Sequence, residues 1–349
     1  MRILFAGSPS IAVPALEAIS GEGAKPAHSF ELAGVLTNPD SPRGRSGTAE
    51  PTEIGAAAQR ISALSASELP ILKPEKLDGK VREAIAALKP DLLVSFAYGK
   101  IFGPKFLALF PMGGINIHPS LLPKYRGPTP IQAAILNRDS ETGISIQKLA
   151  PQMDSGDILV QERIALSGAE TAGSLSEVMA QKAAELLLPL LKKIAEGTAQ
   201  AAPQNHSEAS YCSLITAEDG LIDWNKSAAE IEARVRAFSP WPLSWTLHSG
   251  LRLFILKACV AAVEQPGAAA EADAAGGRVR PAAGLFQGTD LMPAHAVGRV
   301  LGTDKKLGIL IQTGEGILAV TELQYQARKA LGWRDFLNGA RNFTGARLE

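Results

Sequence analysis

Short, unbroken apolar runs separated by segments of helical spacing constrain the first half of this chain most. The runs are residues 2–6 (RILFA), 32–37 (LAGVLT), 91–97 (DLLVSFA) and 114–117 (GINI). Residues 11–19 and 78–88, which lie between them, repeat apolar side chains at helical intervals. A strand that is apolar on both faces must be covered on both, so this alternation predicts a doubly wound, mostly parallel, Rossmann-like α/β sheet with helices on each side. Two further strands are expected over 143–149 and 157–164, and a long helix over 174–196. In open sheets of this kind, ligands bind outside the carboxyl ends of the strands.

The texture changes after residue 196. Residues 197–207 (GTAQAAPQNHS) are small, polar and interrupted by Pro203, which predicts a linker between a first domain over 1–196 and a second over 208–349. In the second domain a helix over 228–237 precedes short β-type runs at 251–259, 296–301, 308–313 and 317–323. Gly-containing turns between those runs predict a small antiparallel, OB-like β-barrel. Residues 264–283 are rich in Ala and Gly and read as a surface insertion.

Composition narrows the function classes. The chain has 349 residues, 46% of them hydrophobic and 20% charged, with a formal net charge of zero. That is the profile of a soluble globular protein with two domains, and it excludes a uniformly basic nucleic-acid binder while leaving room for a local basic patch. No apolar run approaches the ~20 residues needed to span a bilayer, and the amino terminus opens as a strand without a signal-peptide pattern, so a cytoplasmic location is expected. The loop after the first strand, AGSPSIA, carries only Gly7 and lacks the glycine spacing of a nucleotide phosphate cradle. The five histidines have no partner at zinc-ligand spacing, so no metal is expected, and Cys212 and Cys259 read as buried free thiols.

Residues 115–132, INIHPSLLPKYRGPTPIQ, carry the chemistry. Residues two apart in a strand point to the same face, so Asn116 and His118 project together at the carboxyl end of a buried strand. An amide donor beside an imidazole suits an oxyanion forming on an attacked carbonyl. Asp154, in the turn PQMDSGDIL, is the acidic candidate: from a loop between two strands its carboxylate can orient His118, favour the charged imidazole and take part in proton transfer. Taken alone, Asp154 could be a turn-capping residue, the common role for Asp in such loops, but its spacing from the His118 block favours the catalytic role.

Asn116–His118, the Ser120-Leu121-Leu122-Pro123 turn and Asp154 together resemble the signature of the folate-dependent formyltransferases. FAGSP at 5–9, SFAYGKI at 95–101, YRGPTPIQAAI at 125–135 and ETGISI at 141–146 extend the resemblance. IDWNKSAAEIEARVRAFSPWPLSW at 222–245 is similar to the second domain of the tRNA-formylating branch, a domain that the formyltransferases of purine synthesis lack. The likeness runs from Met1 to about Arg347.

This resemblance implies 10-formyltetrahydrofolate as donor and the α-amine of initiator methionyl-tRNA as acceptor. It also implies that Asn116 and His118 stabilise the oxyanion, that Asp154 orients His118, and that Ser120, Leu121, Leu122 and Pro123 contact the folate. Arg43 and Arg45, in the loop over 39–51, align with a basic insertion that grips tRNA, although Gly47 and Thr48 stand where lysines are common and Glu50 adds negative charge. Pro119 replaces a frequent Gly and removes one N–H. Arg328 and Lys329, in a basic tail, either line a tRNA groove or form an ordinary solvated surface. A monomer is expected. The competing readings are formylation of a sugar-nucleotide amine, hydrolysis of formyl-folate, and a non-catalytic folate- or RNA-binding protein.

Overall fold

The computed structural model describes residues 1–23, 29–42, 47–65, 68–261, 297–340 and 342–349. Arg43, Arg45 and the 264–283 insertion lie outside the described residues. Two compact units are present: one of residues 1–134, 139–168 and 173–214, the other of 135–138, 169–172 and 215–349.

The chain runs through β1 (Arg2–Gly7), α1 (Val13–Gly23), β2 (Glu31–Leu36), two short strands β3 (Ser41–Pro42) and β4 (Ala49–Glu50), α2 (Glu53–Leu64) and β5 (Ile71–Leu72). There follow α3 (Gly79–Ala87), β6 (Leu92–Phe96), α4 (Pro104–Leu107), β7 (Gly114–His118), α5 (Pro130–Leu136), β8 (Glu141–Lys148), β9 (Ile158–Ala165) and α6 (Ala172–Ala195). The seven-stranded sheet has the order β5-β2-β1-β6-β7-β8-β9. From β5 to β7 every pairing is parallel, and β8 and β9 join antiparallel.

The apolar runs explain the parallel part. Ile3, Leu4 and Phe5 are fully buried, and β6 is buried along its whole length, as expected of strands covered on both faces. Helix starts are set locally: Thr52 accepts from the Gly55 N–H and Asp78 from the Val81 N–H, each satisfying a donor that the first turn leaves free. The antiparallel return of β8 places Gln147 opposite Asn116 and Ser145 opposite His118. That register puts a second polar strand beside the candidate site.

The segment expected as a linker does not behave as one. Ala202 exchanges two backbone hydrogen bonds with Ile158, at 2.8 and 2.9 Å, and Gln204 is only 6% exposed. Residues 210–212 then lie alongside Arg126, with Arg126 N–H donating to Ser210 O and Cys212 N–H to Arg126 O. Gln204 is the buried polar residue of 197–207, and the first unit extends to residue 214.

In the second unit, α7 (Ala228–Ala237) precedes β10 (Ser244–His248), β11 (Leu251–Ala261), β12 (Val300–Asp304), β13 (Gly308–Gln312), β14 (Ile317–Tyr325), β15 (Leu331–Gly332) and α8 (Trp333–Gly339). The strands pair antiparallel in the order β10-β11-β14-β13-β12, with β15 on β14. Ser227 and Glu230 form a complete capping box that starts α7. Its buried side, including Ile231 and Val235, packs with Leu253, Ile309, Leu318 and Val320.

Trp224 is core, its indole N–H donating to Thr246 Oγ1, whereas Trp241 is 56% exposed. Cys212 and Cys259 are free, yet only half-buried.

Candidate active site

The site is built where β7 ends. Ile115 and Ile117 anchor the strand in the core, and Asn116 and His118 share its other face. His118 is 4% exposed, and its two ring nitrogens meet different partners. Nε2 lies 2.8 Å from the Tyr125 carbonyl, which can only accept, so Nε2 carries the proton. Nδ1 faces Asp154 Oδ2 at 3.6 Å. Burial pushes the imidazole below its ordinary range, while the Asp154 charge and the Tyr125 carbonyl pull the other way. The sequence reading had Asp154 favour the charged imidazole; in the fold burial outweighs that pull.

Asp154 is the hub. Its Oδ1 accepts from Gln147 Nε2 at 2.9 Å and from Asn116 Nδ2 at 3.4 Å, and its Oδ2 accepts from the Gly127 N–H at 2.9 Å. Three chain segments thus point donors at one carboxylate. Asp154 sits at φ +52 and Tyr125 at φ +57, both in the left-handed region that side chains rarely adopt. Such backbone persists where surrounding contacts enforce it, and it clusters at functional sites. Gly127 is required by close packing: at φ +118, a Cβ there would lie 2.3 Å from the Cys212 carbonyl oxygen.

The Ser120–Pro123 turn is held by its own hydrogen bonds. Ser120 and Leu122 are buried. The Ser120 hydroxyl donates to Lys124 O, Leu122 N–H donates to Ser145 Oγ, and Leu122 O accepts from Gln161. The polar groups of these two residues are consumed in holding the turn, and only Leu121 and Pro123 remain partly accessible. Arg328 and Lys329 are exposed in the turn after β14, in the second unit.

Sequence reasoning missed four members of the site. Gln147 and Gln204 are buried polar residues bonded to each other at 3.2 Å, and Gln204 Nε2 also donates to the carbonyls of Asp154 and Gly156. Arg126, 2% exposed, donates to Gln204 Oε1. Gly127 supplies the backbone donor to Asp154. The one signal available was alternation in β8: Ser145 and Gln147 share one face, opposite the face of Ile144 and Ile146, and a polar side chain buried there needs a partner.

The arrangement presents an amide donor, an imidazole and a carboxylate at the carboxyl end of a central strand. It can receive a carbonyl, stabilise its developing oxyanion and move a proton.

Comparison with known proteins agrees with this chemistry. The family model described as formyl transferase matches residues 1–191, and that of the formyl transferase C-terminal domain matches 214–341. The chain is 47% identical over 347 residues to the methionyl-tRNA formyltransferase of Treponema denticola, covering 98% of both chains. It is 37% identical to that of Borreliella afzelii, covering 99% of this chain and 97% of the relative. Among solved structures, an N-formyltransferase from Helicobacter canadensis superposes with a TM-score of 0.59 at 19% identity, over 92% of this chain and 98% of that one. HypX from Aquifex aeolicus superposes at 0.57 and 15% identity over 99% of this chain, which spans 48% of its length. At these identities the superpositions speak to the fold alone. With both regions matched in order and a near full-length relative at 47% identity, the chain belongs to the formyl transferase family.

Proposed function

We propose that this chain transfers the formyl group of 10-formyltetrahydrofolate to the α-amine of methionyl initiator tRNA. The observation that carries the reading is the Asp154 carboxylate, which gathers Asn116 and Gly127 as donors and faces His118 at the end of β7. The full-length likeness to methionyl-tRNA formyltransferases supports the acceptor.

In this mechanism Asn116 Nδ2 donates to the formyl oxygen as the amine adds and charge develops there. His118 Nε2 is committed to Tyr125, so Nδ1 is the atom left to receive the proton that the amine sheds. Asp154 Oδ2, on the same side of the ring, stabilises the resulting imidazolium. Nδ1 then returns the proton to the departing folate nitrogen. One C–N bond forms, one breaks, and no proton is gained or lost overall. Arg328 and Lys329, with Arg43 and Arg45, are the cations we assign to tRNA phosphates.

An acceptor panel tests the proposal. With 10-formyltetrahydrofolate as donor, methionyl initiator tRNA is expected to be formylated, and uncharged tRNA and an amino-sugar nucleotide are not. Charge reversal at Arg328 and Lys329 is expected to weaken tRNA binding. Transfer to the sugar amine with none to methionyl-tRNA would replace the reading, and unchanged affinity would remove those two residues from it.

A further inference from the structure

Resting on the proposed formyl transfer, we propose that Gln147 is a positioning residue for Asp154, with its amide oriented through Gln204 by the buried guanidinium of Arg126. The argument starts from Arg126, which has N–H donors and no acceptor. Its Nε and Nη2 reach one atom of the Gln204 amide, at 3.2 and 2.6 Å, so that atom must be oxygen. The nitrogen of Gln204 therefore faces the other way, toward the carbonyls of Asp154 and Gly156 at 2.9 and 2.7 Å and toward Gln147 at 3.2 Å.

The same logic fixes the next amide. The atom of Gln147 that faces Gln204 Nε2 and the Gly156 N–H, the latter at 3.1 Å, meets two donors and must be oxygen. Its nitrogen is then left pointing at Asp154 Oδ1, 2.9 Å away. An otherwise ambiguous pair of glutamines is polarised in one sense from end to end. Gln147, Gln204 and Arg126 are nearly inaccessible, at 2%, 6% and 2% exposure, so water cannot substitute for a missing partner.

The consequence falls on Asp154. Gln204 holds the backbone of the turn through the Asp154 and Gly156 carbonyls, and Gln147 holds the carboxylate itself. Gly156 cannot carry a side chain, because a Cβ would lie 1.9 Å from Lys148 O, so the turn is closed tightly against the end of β8. Asn116 touches the same carboxylate oxygen as Gln147 but at 3.4 Å, which leaves Gln147 as the firmer anchor and Asn116 freer to turn toward a substrate. Catalytic groups must be held close to productive geometry, and such restraint is the work of the residues behind them.

Two near-isosteric variants test this. Gln147→Met keeps the bulk and removes both amide functions. Gln147→Glu keeps an acceptor for Gly156 and Gln204 and puts an oxygen where the donor to Asp154 stood. Both are expected to lower kcat on the order of 10- to 100-fold, with KM for methionyl-tRNA held within about twofold, the pattern of a lost transition-state restraint. In Gln147→Glu the acid limb of the kcat–pH profile is also expected to move to higher pH, because two carboxyl groups then face each other. Melting curves identify a variant that has merely lost its fold, and in that case the other variant decides. Wild-type kcat and an unmoved pH profile in a folded variant would overturn the proposal. If the wild-type protein itself transfers no formyl group to methionyl-tRNA, the functional reading fails instead.

Discussion

His118 shows how residue-scale chemistry is set by surroundings. Its imidazole titrates below its ordinary value because burial outweighs the pull of Asp154 and Tyr125. At neutral pH it is therefore ready to accept a proton at Nδ1. Both His118 and the attacking amine, an α-amino group of ordinary pKa ~8, are disabled by protonation, so the transfer rate is expected to fall toward acid. A rate that is flat from about pH 5 to pH 8 would contradict this proton path. Stability follows the same sign. The unfolded imidazole protonates first, near pH ~6.5, so acid below that value favours the unfolded chain until the folded imidazole also takes its proton. Asn116 and His118 were legible in the sequence because strand alternation puts them on one face. Gln147, Gln204 and Arg126 were not, because their meaning depends on partners 57 and 78 residues apart.

Elements follow local signals closely where those signals are strong. The apolar runs became β1, β2, β6 and β7 within a residue or so, and α7 spans 228–237 as expected because Ser227 and Glu230 cap it and its apolar side is regular. Removing the cap in Ser227→Ala is expected to lower stability by about 1 kcal/mol, read as a lower melting temperature for the second unit. An unchanged melting temperature would mean that packing alone starts α7. Where signals were weak, elements were missed: α2 buries mainly small residues, Gly55, Ala57 and Ala58 beside Ile54, and leaves little apolar rhythm to read. The antiparallel direction of β8 was also invisible, since an apolar run carries no mark of its orientation.

Across the whole molecule, the division into an α/β unit and an antiparallel β unit was readable from the change in texture near residue 200, but not its position. Composition placed the boundary at 197–207, whereas Gln204 within it belongs to the network behind Asp154. A chain ending at 196 removes Gln204 and strands the buried Arg126, each lost partner costing about 1–3 kcal/mol. A fragment of residues 1–196 is expected to unfold at lower temperature than one of residues 1–214, and equal melting temperatures would return the boundary to 196. The central claim is that Asn116, His118 and Asp154 perform the transfer while tRNA binding resides elsewhere. Single-turnover formyl transfer to methionyl-tRNA, measured beside tRNA affinity for wild type, His118→Ala and Asp154→Asn, tests it most directly. The expected result is transfer reduced by about 10²-fold or more in both variants, with tRNA affinity unchanged. Wild-type transfer rates in either variant would contradict it.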